Sequence, residues 1–218
     1  MKQTDLPEAF RRLREAAQEW QTPYVTELAQ QNRDPFRVLI STMLSLRTKD
    51  TTTAAAAPRL FMLADTPQRM LMLKPHQIAH AIYPVGFYRV KANNILSVCR
   101  ILVDQYGGRV PDDLDTLVAL PGVGRKTANL VLTQGFGKLG ICVDTHVHRI
   151  TNRWGYVETK NPEKTEMALR EKLPREYWIE INDHLVALGQ NICHPTSPKC
   201  SLCPVREWCD RVGVVRSR

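Results

Sequence analysis

Apolar positions recur at three- and four-residue steps along almost the whole chain, and no sustained alternation of the kind a half-buried strand needs is present. Leu6, Ala9, Phe10, Leu13, Ala16 and Ala17 form one such stripe, predicting a helix over Leu6–Trp20 with Pro7 tolerated in its first turn. Asp34-Pro35 opens a second helix that runs to Leu46. The same periodicity predicts helices over Lys49–Ala64, Pro67–Leu73, Pro75–Ile82, Phe87–Tyr106, Leu114–Ala119, Arg125–Phe136, Thr145–Trp154, Pro162–Lys172 and Tyr177–Gln190, with Pro, Gly, Asp and Thr between them. The expected class is therefore all-α. No Gly/Ser-rich or low-complexity segment interrupts the pattern, so two domains, if the 218 residues make two, would be packed rather than tethered.

Composition narrows the partners. Thirty basic against twenty-two acidic residues leave a net charge of +8, which favours a polyanion. The C-terminal stretch shares this bias, with Lys199, Arg206, Arg211, Arg216 and Arg218 against Glu207 and Asp210. The longest apolar run, Ala54 to Ala64, is broken by Pro58-Arg59, so no membrane span is expected. The opening residues Met1 to Phe10 lack the apolar core of a signal peptide, which predicts a cytoplasmic protein with reduced thiols. Four of the six cysteines, Cys193, Cys200, Cys203 and Cys209, stand in a C-x6-C-x2-C-x5-C array that can close around one metal centre. Iron–sulfur and zinc both suit four thiolates, and the long uneven spacing favours iron–sulfur. Cys99 and Cys142 lie in apolar surroundings and read as small buried hydrophobes.

One connection departs from ordinary loop chemistry. Leu120-Pro121-Gly122-Val123-Gly124-Arg125-Lys126-Thr127-Ala128 joins two helices through a hairpin suited to gripping a phosphate, because glycine allows positive φ and close approach, and a helix N-terminus follows. A P-loop would need a preceding strand and other glycine spacing. Lys126 falls in the first turn of that following helix, where the dipole disfavours a cation and favours a neutral, nucleophilic amine. Asp144, in Val143-Asp144-Thr145-His146-Val147-His148, can supply a carboxylate partner and equally well an N-cap. Its spacing to His148 raises a metal-hydrolase reading, but further carboxylates at helical spacing are lacking. Upstream, Tyr83-Pro84-Val85-Gly86-Phe87 is either a degenerate second hairpin or a plain loop. Phe87 at its tip can wedge into a base stack while Arg89 and Lys91 hold the backbone.

Taken together, LPGVGRKTA, VDTHVHR and the four-cysteine array resemble the endonuclease III family of helix-hairpin-helix DNA glycosylases, over about Asp34 to Cys209. The resemblance implies a two-lobed fold: a six-helix barrel over residues 28–138, and a discontinuous lobe from 1–27 and 139–218 that holds a [4Fe-4S] cluster on Cys193, Cys200, Cys203 and Cys209. DNA would lie across the cleft between them. It further implies Lys126 as nucleophile, Asp144 as catalytic aspartate, and Gly122, Val123 and Gly124 as the DNA-gripping hairpin. Arg47, in Leu46-Arg47-Thr48-Lys49-Asp50, would enter the gap left by a flipped base where the best-known bacterial members carry glutamine, and Phe87 matches a leucine. The implied activity is removal of oxidised pyrimidines and strand cleavage at abasic sites in double-stranded DNA, by a monomeric bacterial or archaeal nucleoid enzyme. A non-enzymatic DNA-binding module using the hairpin as a phosphate clamp is the other class of answer.

Overall fold

The computed structural model describes residues 1–20 and 22–218, and among them there are helices, turns and loops but no strand. Twelve α-helices follow in chain order: α1 (Leu6–Ala17), α2 (Tyr24–Gln31), α3 (Pro35–Ser45), α4 (Asp50–Leu63), α5 (Pro67–Leu71), α6 (Pro75–Ile82), α7 (Tyr88–Tyr106), α8 (Leu114–Val118), α9 (Arg125–Leu130), α10 (Thr145–Arg153), α11 (Pro162–Lys172) and α12 (Glu180–Asn191). They divide into a contiguous unit, Tyr24–Gly140, and a split unit assembled from Met1–Pro23 and Ile141–Arg218.

In the contiguous unit α3 is the hub. Asp34 caps it, its Oδ1 accepting from the Phe36 and Arg37 N–H groups at 2.9 and 3.3 Å, and Pro35 supplies a preset first turn. From Phe36 to Leu44 every residue except Arg37 is buried, because α2, α4, α7 and α9 surround the helix. The long α7 turns one face, Ala92, Ile95, Val98, Cys99 and Leu102, into the same core. α9 continues into a buried π-helical turn, Val131–Gly135.

Three differences from the periodicity have local causes. α2 spans only eight residues: Val25, Leu28 and Ala29 make a single i, i+3, i+4 patch, too short to hold a helix alone, and α3 and α4 cover that face. The stretch predicted as one helix over Arg125–Phe136 changes from α to π winding at Val131, a change of hydrogen-bond register that leaves side-chain composition untouched. The helix predicted from Tyr177 starts instead at Glu180, after a 3-10 turn over Arg175–Tyr177.

In the split unit Leu6, Phe10 and Leu13 of α1 join Val147 and Ile150 of α10, Trp154 just beyond it, and Leu185 and Leu188 of α12 in one core. Phe10 stacks on Tyr177 with ring centroids 4.3 Å apart. Burying a side chain such as Phe10 stabilises by about 1.5–3 kcal/mol. Cys142 is buried here, and Cys99 in the other unit, as their apolar neighbours lead one to expect. Arg14 grips Glu180 with two hydrogen bonds of 2.9 and 2.8 Å, and His184 adds a third contact at 3.2 Å. Burial alone would raise the Glu180 carboxyl, but His184 and Arg14 outweigh it and hold it at about 2, below the ordinary 4.5. A depressed carboxyl contributes stability that is present above pH 4.5 and lost as pH falls toward 2. Glu180→Gln is therefore expected to cost about 1 kcal/mol near neutrality, or roughly 2–4 °C in Tm. It should also flatten the acid limb of a Tm-versus-pH series; parallel wild-type and variant curves there would remove this pair from the acid response.

Candidate active site and metal centre

The hairpin between α8 and α9 is built as its glycines require. Gly122 has φ +75°, a conformation that strains any residue with a side chain, and a methyl group on it would also have to displace the Asn94 amide of α7, 2.7 Å away. At Gly124, the N-cap of α9, a methyl group would meet nothing within 4 Å, and no side chain caps this end of the helix. Val123 between them is buried and donates its N–H to the Leu120 carbonyl at 3.1 Å. Its side chain therefore anchors the turn, and only backbone is left to meet a ligand. Lys126 follows in the first turn of α9 and is half-buried.

Asp144 lies in the split unit, buried at the start of α10, where its Oδ1 accepts from the His146 and Val147 N–H groups at 2.8 and 2.9 Å. The capping bonds fix the carboxylate's orientation, so the cap is a device that aims the group as well as a helix start. The flanking histidines are engaged locally: His148 Nδ1 meets the Thr165 hydroxyl at 2.7 Å, and His146 Nδ1 lies 3.0 Å from Arg149 Nη2.

A second pair of loops in the contiguous unit carries Arg47 and Phe87. Both side chains are exposed, and the Arg47 guanidinium stands over the Phe87 ring at 5.8 Å. Both residues have left-handed backbone, φ 51° and 57°, a conformation that non-glycine residues hold only when their surroundings impose it. The surroundings are close. A methyl group on Gly86 would stand 2.7 Å from the Arg47 carbonyl oxygen, and the Gly86 N–H donates to Thr48 Oγ1 at 3.1 Å. Val85 is buried beneath this tip as Val123 is beneath the other.

Lys91 corrects an expectation. Read as a cation for the DNA backbone, it is instead 7% exposed, and its amine donates to the carbonyls of Leu44 and Leu46 at 2.7 and 2.6 Å and to Thr48 Oγ1 at 3.2 Å. Burial pulls the amine down to about 8. Its helical spacing in α7, one residue before buried Ala92 and four before Ile95, is the sequence signal that it faces inward. Arg89, by contrast, is exposed.

The four C-terminal thiols line one cavity with Arg153, Trp154 and Leu188. Cys193 follows α12, Cys200 opens a 3-10 turn that Cys203 closes, and Cys209 follows another over Arg206–Trp208. Arg153 braces the loop, donating to Cys193 Sγ at 3.2 Å and to the His194 and Pro195 carbonyls at 2.7 Å each. Burial, and after it the neighbouring thiols, push Cys203 up to about 12, so four thiolates coexist here only with cationic charge among them. Among the described residues no three Cys, His, Asp or Glu groups are gathered as a single ion needs. Four soft thiols around one cavity are the donor set that would hold an iron–sulfur cluster.

Comparison with known proteins places these features. Residues 40–175 match the family model of the HhH-GPD superfamily base excision DNA repair proteins, and residues 193–209 match the iron-sulfur binding domain of endonuclease III. The chain is 51% identical over 177 residues to endonuclease III of Thermotoga maritima, covering 81% of this chain and 83% of the relative. It is 39% identical over 176 residues to endonuclease III of Escherichia coli K12, with the same coverage. The solved structure of a trapped endonuclease III–DNA covalent intermediate superposes with a TM-score of 0.84 at 32% identity, over 97% of each chain.

Proposed function

The chain belongs to the endonuclease III family of helix-hairpin-helix base excision repair proteins, and from that footing we propose how its own residues carry the chemistry and which bases it removes. It is a DNA glycosylase with abasic-site lyase activity and a [4Fe-4S] cluster. Our reading assigns Cys193, Cys200, Cys203 and Cys209 as the cluster's ligands, Lys126 as nucleophile and Asp144 as its carboxylate partner. The observation that carries it is Lys126 in the first turn of α9, directly behind a hairpin whose turn is made by Gly122 at positive φ. A phosphate gripped by that backbone brings its own nucleotide to the amine.

Double-stranded DNA hides its glycosidic bonds, so the target nucleotide is first extruded, and a damaged base that stacks poorly costs less to extrude. Arg47 and Phe87 are the groups we assign to the gap that extrusion leaves. The Lys126 amine then attacks the anomeric carbon while the bond to the base breaks and the base departs with the bonding pair. Asp144 stabilises positive charge on the sugar and takes a proton from the amine. Loss of the ring oxygen's bond to that carbon gives the Schiff base. Removal of a proton from the adjacent carbon then expels the 3′ phosphate and cuts the strand. The cluster supplies no step in this sequence; bound, it fixes the loop that presents Lys199, Arg206 and Arg211 to phosphates.

We assign oxidised pyrimidines as the substrates, double-stranded DNA bearing them or abasic sites as the partner, and a cytoplasmic, nucleoid-associated monomer of bacterial or archaeal origin as the working form. No helix among the described residues is long and apolar enough to cross a membrane. Duplexes carrying one defined lesion each test the substrate assignment. Excision of oxidised pyrimidines at least tenfold faster than of oxidised or mismatched purines is expected, and the opposite ranking sinks it.

A further inference from the structure

The buried amine of Lys91 has no place in the reaction described above, yet it occupies an expensive position. A lysine at 7% exposure gives up its hydration and recovers it only through protein oxygens. All three of its partners belong to one short segment: Leu44 near the end of α3, Leu46 just beyond it, and Thr48. Arg47 lies inside that segment. The two carbonyls come from a helix C-terminus, where unpaired C=O groups and the negative end of the dipole favour a cation.

Lys91 itself belongs to the other loop's helix, one turn past Phe87, and its N–H donates to the Phe87 carbonyl at 3.0 Å. Its backbone thus holds one tip and its side chain the other. The Thr48 hydroxyl, which receives the amine, also receives the Gly86 N–H at 3.1 Å and lies 3.3 Å from the Leu46 carbonyl. Arg47 and Phe87 both sit in left-handed backbone that other residues must impose. This small network is placed to impose it on both.

We propose that Lys91 is a positioning residue which, with Thr48, locks the Arg47 and Phe87 tips into a single two-pronged tool for entering the base stack. The inference rests on the assignment of Arg47 and Phe87 to the gap left by extrusion. Its consequence is selective: removing an intact but damaged base requires stack entry, whereas an abasic site has no base to extrude and needs the tool less.

The test compares Lys91→Met, which keeps the stem and deletes the donors, with Thr48→Val, which removes only the hydroxyl and disturbs packing less. Two activities are measured on matched duplexes: excision of 5-hydroxycytosine and borohydride trapping at an abasic site. A 2-aminopurine opposite a stable abasic analogue reports stack entry by its fluorescence at saturating protein. For Lys91→Met the ratio of excision to trapping should fall at least tenfold and the fluorescence, which a wedge raises by unstacking the 2-aminopurine, should fall at least threefold, with Thr48→Val lowering both and Lys91→Arg recovering part of the loss. Equal loss of both activities with unchanged fluorescence per bound protein, or no loss in Thr48→Val together with none in Lys91→Met, overturns the proposal. Arg47→Ala/Phe87→Ala is the control. If it leaves the fluorescence intact, the stack-entry assignment and this inference fall together; if the wild type never traps, it is the enzymatic reading that fails.

Discussion

Lys126→Gln should abolish covalent capture by borohydride on abasic duplex DNA, with a fall of at least about 10³-fold, because a glutamine amide cannot form an imine. Binding of the same duplex should weaken by no more than about threefold, since backbone groups and other cations hold the phosphates and a single lysine supplies one contact of several. Glutamine is a good helix former, so the first turn of α9 should survive. Undiminished trapping in the variant would place the nucleophile on another amine. Loss of trapping together with loss of binding would show instead a clamp whose lysine serves the backbone, which is the non-enzymatic reading of the hairpin.

Asp144→Asn separates chemistry from scaffolding at the other key position. Asparagine caps a helix about as well as aspartate, and the acceptor that meets the His146 and Val147 N–H groups is retained. Only the charge at the helix N-terminus is lost, worth about 0.3–1 kcal/mol, so Tm should fall by no more than about 3 °C. If the carboxylate balances charge on the sugar and takes the amine's proton, base excision falls by roughly 10²–10³-fold. Asp144→Ala should lose the same activity and a further ~1 kcal/mol of stability through the missing cap. Should Asp144→Asn keep activity within a few-fold of wild type, the residue is a cap and the carboxylate partner must be sought elsewhere.

Much of this was legible before any coordinates. The helical periodicity, the Asp34 and Asp144 caps, the two-glycine hairpin and the four-thiol array are local signals, each set by residues within a few positions of one another. What escaped was nonlocal. Arg47 and Phe87 are forty positions apart, and only packing brings guanidinium to ring. Lys91 reads as one more surface cation beside Arg89 until α7 is wound and its side chain is seen to point at the end of α3. Left-handed backbone at an arginine and a phenylalanine contradicts local preference, and such contradictions concentrate where a structure holds groups for use. α2 is the converse case, a two-turn helix whose single apolar patch is too short to stand out in the sequence and is held by its neighbours.

The division of the chain into a contiguous and a split unit has a consequence for biosynthesis. On the ribosome residues 24–140 emerge as a complete folding unit, while α1, already synthesised, must wait for partners more than a hundred residues downstream; Arg14 and Glu180 are 166 positions apart. Throughout that interval Leu6, Phe10 and Leu13 have no native surface to cover them. Closing so long a loop is slow compared with local helix formation. α1 therefore reaches its native core only after α10 and α12 have been synthesised, long after its own winding is possible.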